Sequence, residues 1–176
     1  MSLVLNTSTP LYAATADEDK LIADLSSPNE PVVTKALLKL EKQYPTSTKP
    51  FPAAKKLLTD SRPMVQRKAA RYLGALHAKL DSAEIDSVCA FLKSSDPKVV
   101  MDGLKTLRGL EAPQTVPQII PCLKNSDPYV MRDACRTLAV LGNKDAIPSI
   151  EPLLQNPNPK VQKDAQDAIH ALQTKS

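Results

Sequence analysis

Asp127-Pro128-Tyr129-Val130-Met131-Arg132-Asp133-Ala134-Cys135-Arg136-Thr137-Leu138 is one copy of a signal that this chain repeats. Its opening, Asp127-Pro128-Tyr129-Val130, recurs as Asp96-Pro97-Lys98-Val99 and as Asn158-Pro159-Lys160-Val161, with successive valines 31 residues apart. Looser copies stand upstream at Arg62-Pro63-Met64-Val65 and Asn29-Glu30-Pro31-Val32, at gaps of 34 and 33 residues. Self-similarity at a near-constant period is the sequence signature of a stacked-repeat architecture.

The pattern extends in both directions from each valine. Four residues later comes a small residue (Ala36, Ala69, Gly103, Ala134, Ala165), and eight later a large apolar one (Leu40, Leu73, Leu107, Leu138, Ile169). Leucine returns at the eleventh position in four copies, as Leu76, Leu110, Leu141 and Leu172. Offsets of 0, 4, 8 and 11 follow one face of an α-helix. Seven residues before each valine stands Leu25, Leu58, Leu92, Leu123 or Leu154, and four before that Leu21, Ala54, Val88, Ile119 or Ile150. That spacing predicts a second amphipathic helix preceding the first.

Each unit thus reads as helix A, a short turn and helix B. Asp or Asn before the proline can cap the unpaired N–H groups that open helix B. Proline suits the first helical turn, where its missing N–H costs nothing. Pro52, Pro117 and Pro148 follow the same logic at the starts of helix A, whereas Pro121 and Pro152 lie deeper and predict a kinked or delayed helix A in the last two units. No unit can bury its apolar face alone, so the expected fold is all-α: a right-handed superhelical array of about five two-helix units. Gln166 stands where the other units are apolar, and Glu41 and Gln43 lie near the end of unit one, as suits solvent-facing terminal caps.

Composition agrees. Aromatic residues make up 3% of the 176, Trp is absent and Gly occurs four times, which disfavours a β-sandwich. Cys89, Cys122 and Cys135 are odd in number and lack metal or redox spacing, so they read as small buried apolar residues. His77 and His170 are far apart in the repeat order and have no companion ligands. No metal or cofactor is therefore expected. The net charge of +4 and the pI of about 8.9 permit an acidic partner without requiring one.

No run approaches the roughly 18 apolar residues of a membrane span. Ala14-Thr15-Ala16 resembles the end of a secretory signal peptide, although a charged start and a full apolar core are missing. Residues 1–17 are therefore read as a flexible tail carrying a signal-peptide remnant, and 18–176 as the repeat domain. The motif favours an exported, periplasmic location, with a cytoplasmic one as the alternative. Asn6-Thr7-Ser8 fits a glycosylation sequon within that tail.

The unit Leu-x-x-Leu-Leu…Asp-Pro-x-Val-x-x-x-Ala-x-x-x-Leu resembles a HEAT repeat. More narrowly it is similar to the short repeats of the phycobilisome (PBS) lyases. The best copies are Ile119–Gly142 and Ile150–Leu172, followed by Ile85–Leu110 and Ala54–Leu76, with Leu21–Leu40 the weakest. Arg often follows the valine in that family. Here Val33, Gln66, Val100, Met131 and Gln162 occupy the position. Some related enzymes hold iron with His-Glu pairs, and none occurs here. Nothing local supports bilin chemistry, and the phosphate-loop and nucleophile-elbow patterns are absent.

In such arrays the B helices line the concave surface. Two and six residues after the valines lie Arg67 and Arg71, Met101 and Lys105, Arg132 and Arg136, then Lys163 and Asp167. At about 100° per residue these positions oppose the apolar face. The resemblance thus implies a basic groove in which Arg67, Arg71, Lys105, Arg132, Arg136 and Lys163 are the candidate partner-binding residues. Asp102, Asp133 and Asp164, one residue away, partly offset the field. The reading is a non-catalytic scaffold for a protein or peptide, acidic in character. Alternatives are a nucleic-acid-binding solenoid, disfavoured by the scarcity of aromatics for stacking, and a lyase-type or cofactor-dependent enzyme. Reversing Arg67, Arg71, Arg132 and Arg136 to Glu is expected to abolish capture while sparing the helices.

Overall fold

A computed structural model describes residues 11–175, with side chains from residue 16 onward. Ten α-helices follow one another and no strand occurs among the described residues: α1 Leu11–Asp24, α2 Glu30–Gln43, α3 Phe51–Lys56, α4 Pro63–Ala75, α5 Ser82–Cys89, α6 Pro97–Gly109, α7 Val116–Ile119, α8 Pro128–Leu141, α9 Ile147–Ile150 and α10 Pro159–Thr174. They pair as five A–B units, the even-numbered helices being the B members. Residues 11–17, expected in a tail, instead form the first half of α1, whose Leu21 is buried in the core together with Leu25 just beyond its end. Residues 1–10, including the sequon, lie outside the described residues.

Helix B starts as the turn chemistry requires in three units. The Asp96 carboxylate accepts from Lys98 N at 2.8 Å, Asp127 from Tyr129 N at 2.7 Å, and Asn158 from Lys160 N at 2.9 Å. Arg62 cannot cap in this way. Its guanidinium instead grips Asp60 at 2.7 Å and donates to the Ser27 and Pro28 carbonyls, tying the turn of unit two to that of unit one. The hydrogen bond from Arg62 also holds the Asp60 carboxyl below its ordinary pKa.

The A helices are short. α7 gives way to a 3-10 turn at Ile120 and α9 at Glu151, each immediately before the deeper proline, Pro121 or Pro152. Similar turns close α3 and α5 without a proline, so tightening at this point belongs to the unit and the prolines fit into it.

Leu40, Leu73, Leu107 and Leu138 have no exposed surface, which places the expected stripe inside in units one to four; in unit five Ile169 is half-buried, Leu154 is 37% exposed, and Leu172 is buried. Two units shift it by one residue. Val33 and Val100 are buried where Val32 and Val99 were expected, because Leu37 and Leu104 follow them by four and rotate the stripe toward themselves. Units two and four carry small Ala70 and Cys135 at the equivalent position and keep Val65 and Val130 inside. Unit five has Gln166 there, and it is exposed, as a terminal cap requires.

Successive B helices pack side by side. α4 and α6 approach closely: a Cβ on Gly109 would stand 2.3 Å from the Gly74 carbonyl oxygen. The A helices leave clefts instead: about 440 Å³ beside Pro52, Lys56 and Ser87, and about 510 Å³ beside Cys89, Leu92, Pro121 and Cys122. The stack therefore opens more widely between its A helices than between its B helices. α4 and α6 end with His77 and Glu111 in the left-handed region, both at φ 51°, where glycine is the usual choice. Ala78 N returns to the Leu73 carbonyl and Ala112 N to that of Leu107, completing the same closing motif at both ends.

Candidate partner-binding surface

The sixth position after each valine is exposed in every unit, whereas the second is half-buried in units one to four, where Met101 packs against the core. Their charges do not stand free. Arg67 Nε and Nη2 donate to Asp102 Oδ2 at 2.9 and 2.6 Å, linking α4 to α6. Lys105 Nζ lies 3.5 Å from Asp133 Oδ2, linking α6 to α8. Arg132 Nε donates to Asp164 Oδ2 at 2.6 Å and Arg136 Nε to Asp164 Oδ1 at 3.2 Å, linking α8 to α10. Lys163 pairs with Asp167 within its own helix at 3.3 Å. Of the six ladder cations, only Arg71 has no ion pair among the described residues.

The geometry explains the pairing. Each aspartate sits three residues after its valine, so it faces the preceding helix and meets the cation of that unit. Asp133 and Asp164 are buried, 5% and 9% exposed, and a buried carboxylate must be paired. The ladder is a row of stitches between units. Reversing Arg132 and Arg136 to Glu would set carboxylates against Asp164, so that change is now expected to weaken the fold, contrary to the sequence expectation. Asp164→Ala is expected to leave both arginines without their anion and to cost about 1–3 kcal/mol. Thermal unfolding should show a midpoint lower by roughly 2–10 °C. Asp167→Ala, which breaks only an exposed pair, should cost under about 1 kcal/mol.

Units one and two differ. At the third position, where the later units have aspartate, they carry Lys35 and Lys68. Those two and Arg71 surround a groove of about 240 Å³ between α2 and α4, lined also by Thr34, Leu37, Leu38 and Glu41. Leu38 occupies the sixth position of unit one and is 51% exposed. The sequence reading missed Lys35 and Lys68. The change from lysine to aspartate down the third position was the signal that could have found them.

Burial pushes the Cys89 and Cys122 thiols up, and that of Cys135 up to about 12. All three are buried, as expected of small apolar residues. His77 Nδ1 stands 3.9 Å from Glu111 Oε1 with both side chains exposed. No group of three or more His, Cys, Asp or Glu that could hold a metal occurs among the described residues. No helix among them is long and apolar enough to cross a membrane.

No curated protein sequence matches the chain. Solved structures do match it. The CpcE–CpcF complex of phycocyanin lyase from Nostoc sp. PCC7120 superposes with a TM-score of 0.74 at 21% identity, covering 99% of this chain and 70% of that one. An engineered protein gives 0.69 at 22% identity over 94% and 85% of the two chains. A designed armadillo repeat protein in complex with the peptide (KR)4 gives 0.69 at 16% over 91% and 83%. These likenesses establish the right-handed α–α superhelix. A family profile described as HEAT repeats matches residues 85–172, half of the chain, and the chain accordingly belongs to the HEAT-repeat family.

Proposed function

We propose that this protein is a non-catalytic scaffold that holds a segment of another protein along the outer face of its B helices. One observation carries the reading. Five B helices stack in register, so the same two outward positions recur from unit to unit on one continuous face. A face of this kind can follow an extended chain, and the designed armadillo protein of the same architecture is in complex with a peptide. The stitches hold that face in place before any partner arrives, which lowers the ordering cost of binding.

The alternatives draw less support. A nucleic-acid backbone needs a track of free cations, and five of the six ladder cations already have carboxylate partners. A lyase-type enzyme rests on architecture shared with the phycocyanin lyase subunits, which speaks to fold alone.

An NMR titration of the isotope-labelled chain with a short peptide rich in Asp and Glu tests the scaffold. Chemical-shift changes are expected on the outward residues of α2, α4, α6, α8 and α10. Changes confined to the A helices, or none at millimolar peptide, would reject it.

A further inference from the structure

We infer that the docking point on this face is the groove between α2 and α4, and that its occupant is an acidic protein segment carrying one apolar side chain. The inference rests on the scaffold reading and adds where on the face the partner sits and what its chemistry must be.

Charge is the first observation. Residues 30–75 contain ten Lys and Arg against three Asp and Glu, whereas the whole chain has 23 against 19. Units one and two as a whole, residues 11–75, hold 11 against 7 and the rest of the chain 12 against 12, so the positive excess resides in these two units and is concentrated in residues 30–75. Pairing is the second. Lys35, Lys68 and Arg71 make no ion pair among the described residues, while the equivalent surface of units three to five is neutralised by Asp102, Asp133 and Asp164. Glu41 is the single acid lining the groove. An incoming carboxylate here displaces no internal partner. Against Arg132 or Arg136 it would have to compete with Asp164.

The third observation is Leu38. The position it holds carries Arg71, Lys105, Arg136 and Asp167 in the later units, so an exposed leucine at this point is a departure from the pattern. It stands beside buried Leu37 and within the ring of cations. Apolar contact at the centre of a charged rim is the usual anatomy of a protein-binding patch. A volume of about 240 Å³ lies below the roughly 300–1,000 Å³ of small-molecule pockets. It suits one side chain of a larger partner. Nucleic acid fits worse: no aromatic lines the groove to stack a base, and the cations do not continue along the array.

Fluorescence anisotropy with two labelled peptides tests the assignment. One is an Asp/Glu-rich peptide with a central Leu, and the other has that Leu replaced by Asp. Neutralising the groove (Lys35→Gln, Lys68→Gln, Arg71→Gln) should weaken the Leu peptide by roughly tenfold or more, as three partly exposed ion pairs would. Neutralising the exposed Lys163 farther along the face (Lys163→Gln), whose partner Asp167 is itself exposed, should change it less than about twofold. Leu38→Asp should erase the preference for the Leu peptide over its Asp version. These substitutions fall on exposed side chains apart from the half-buried Lys68, and unchanged thermal unfolding confirms intact folds. If the loss follows Lys163 instead, this site is wrong while the scaffold survives. If neither peptide binds, both readings fall. Competition by single-stranded DNA as effective as that of unlabelled peptide overturns the protein-segment assignment.

Discussion

Leu123→Asp is expected to unfold at least the C-terminal units and to remove the single cooperative transition of the chain. Leu123 lies in the 3-10 turn that closes helix A of unit four, seven residues before Val130, and is 3% exposed. Removing its side chain from the core forfeits about 1.5–3 kcal/mol, and leaving a carboxylate there without a partner adds several more. Domains of this size have only about 5–15 kcal/mol in total. Unit four is also interior. It supplies half the interface of units three and five, so its loss removes both contacts. Circular dichroism should show lost helix, with the residual signal melting broadly. The change Lys160→Ala, at an exposed side chain, should stay within about 0.5 kcal/mol of the parent.

The second large effect concerns Gly109. In an exposed helix Gly→Ala stabilises by about 0.5–1 kcal/mol. Here the sign should reverse. The added Cβ would meet the Gly74 carbonyl oxygen at 2.3 Å and the Gly74 carbonyl carbon at 2.8 Å, and backbone atoms cannot swing aside as a side chain can. α4 and α6 must separate, which opens the seam between units two and three. Gly109→Ala is expected to cost about 1–3 kcal/mol, and Gly109→Val more, by the measure of overpacked cores. Urea unfolding decides this. A neutral or stabilised Gly109→Ala would mean that the two helices do not approach so closely.

What the sequence shows and what it hides divide along a physical line. Features within one helix were legible: the apolar stripe, the Asx-Pro start of helix B, the exposed Gln166 of the last unit. Features set between helices were not. The stripe moves to Val33 and Val100 because Leu37 and Leu104 compete for the interior, which depends on the space a neighbour leaves. The ladder cations looked free because a single-helix reading cannot tell that Arg67 reaches Asp102, 35 residues on. Arg62 occupies a capping position yet acts through its long side chain on the preceding unit. His77 and Glu111 close their helices where glycine would have announced the end. The groove of Lys35, Lys68 and Arg71 was hidden for the same reason, since its cations matter by lacking what the other units have.

The stitches also give the array a direction. Units three and four each offer a cation downstream and an aspartate upstream, so each is a plug and a socket at once. Unit five ends the line with a socket alone, and unit two begins it with a plug alone, having Lys68 where the socket would be. A duplicated copy of unit four, inserted beside the original, would find both of its connections already made. Lengthening of the protein is thus favoured in its interior, and the cationic end is kept apart from the growing region.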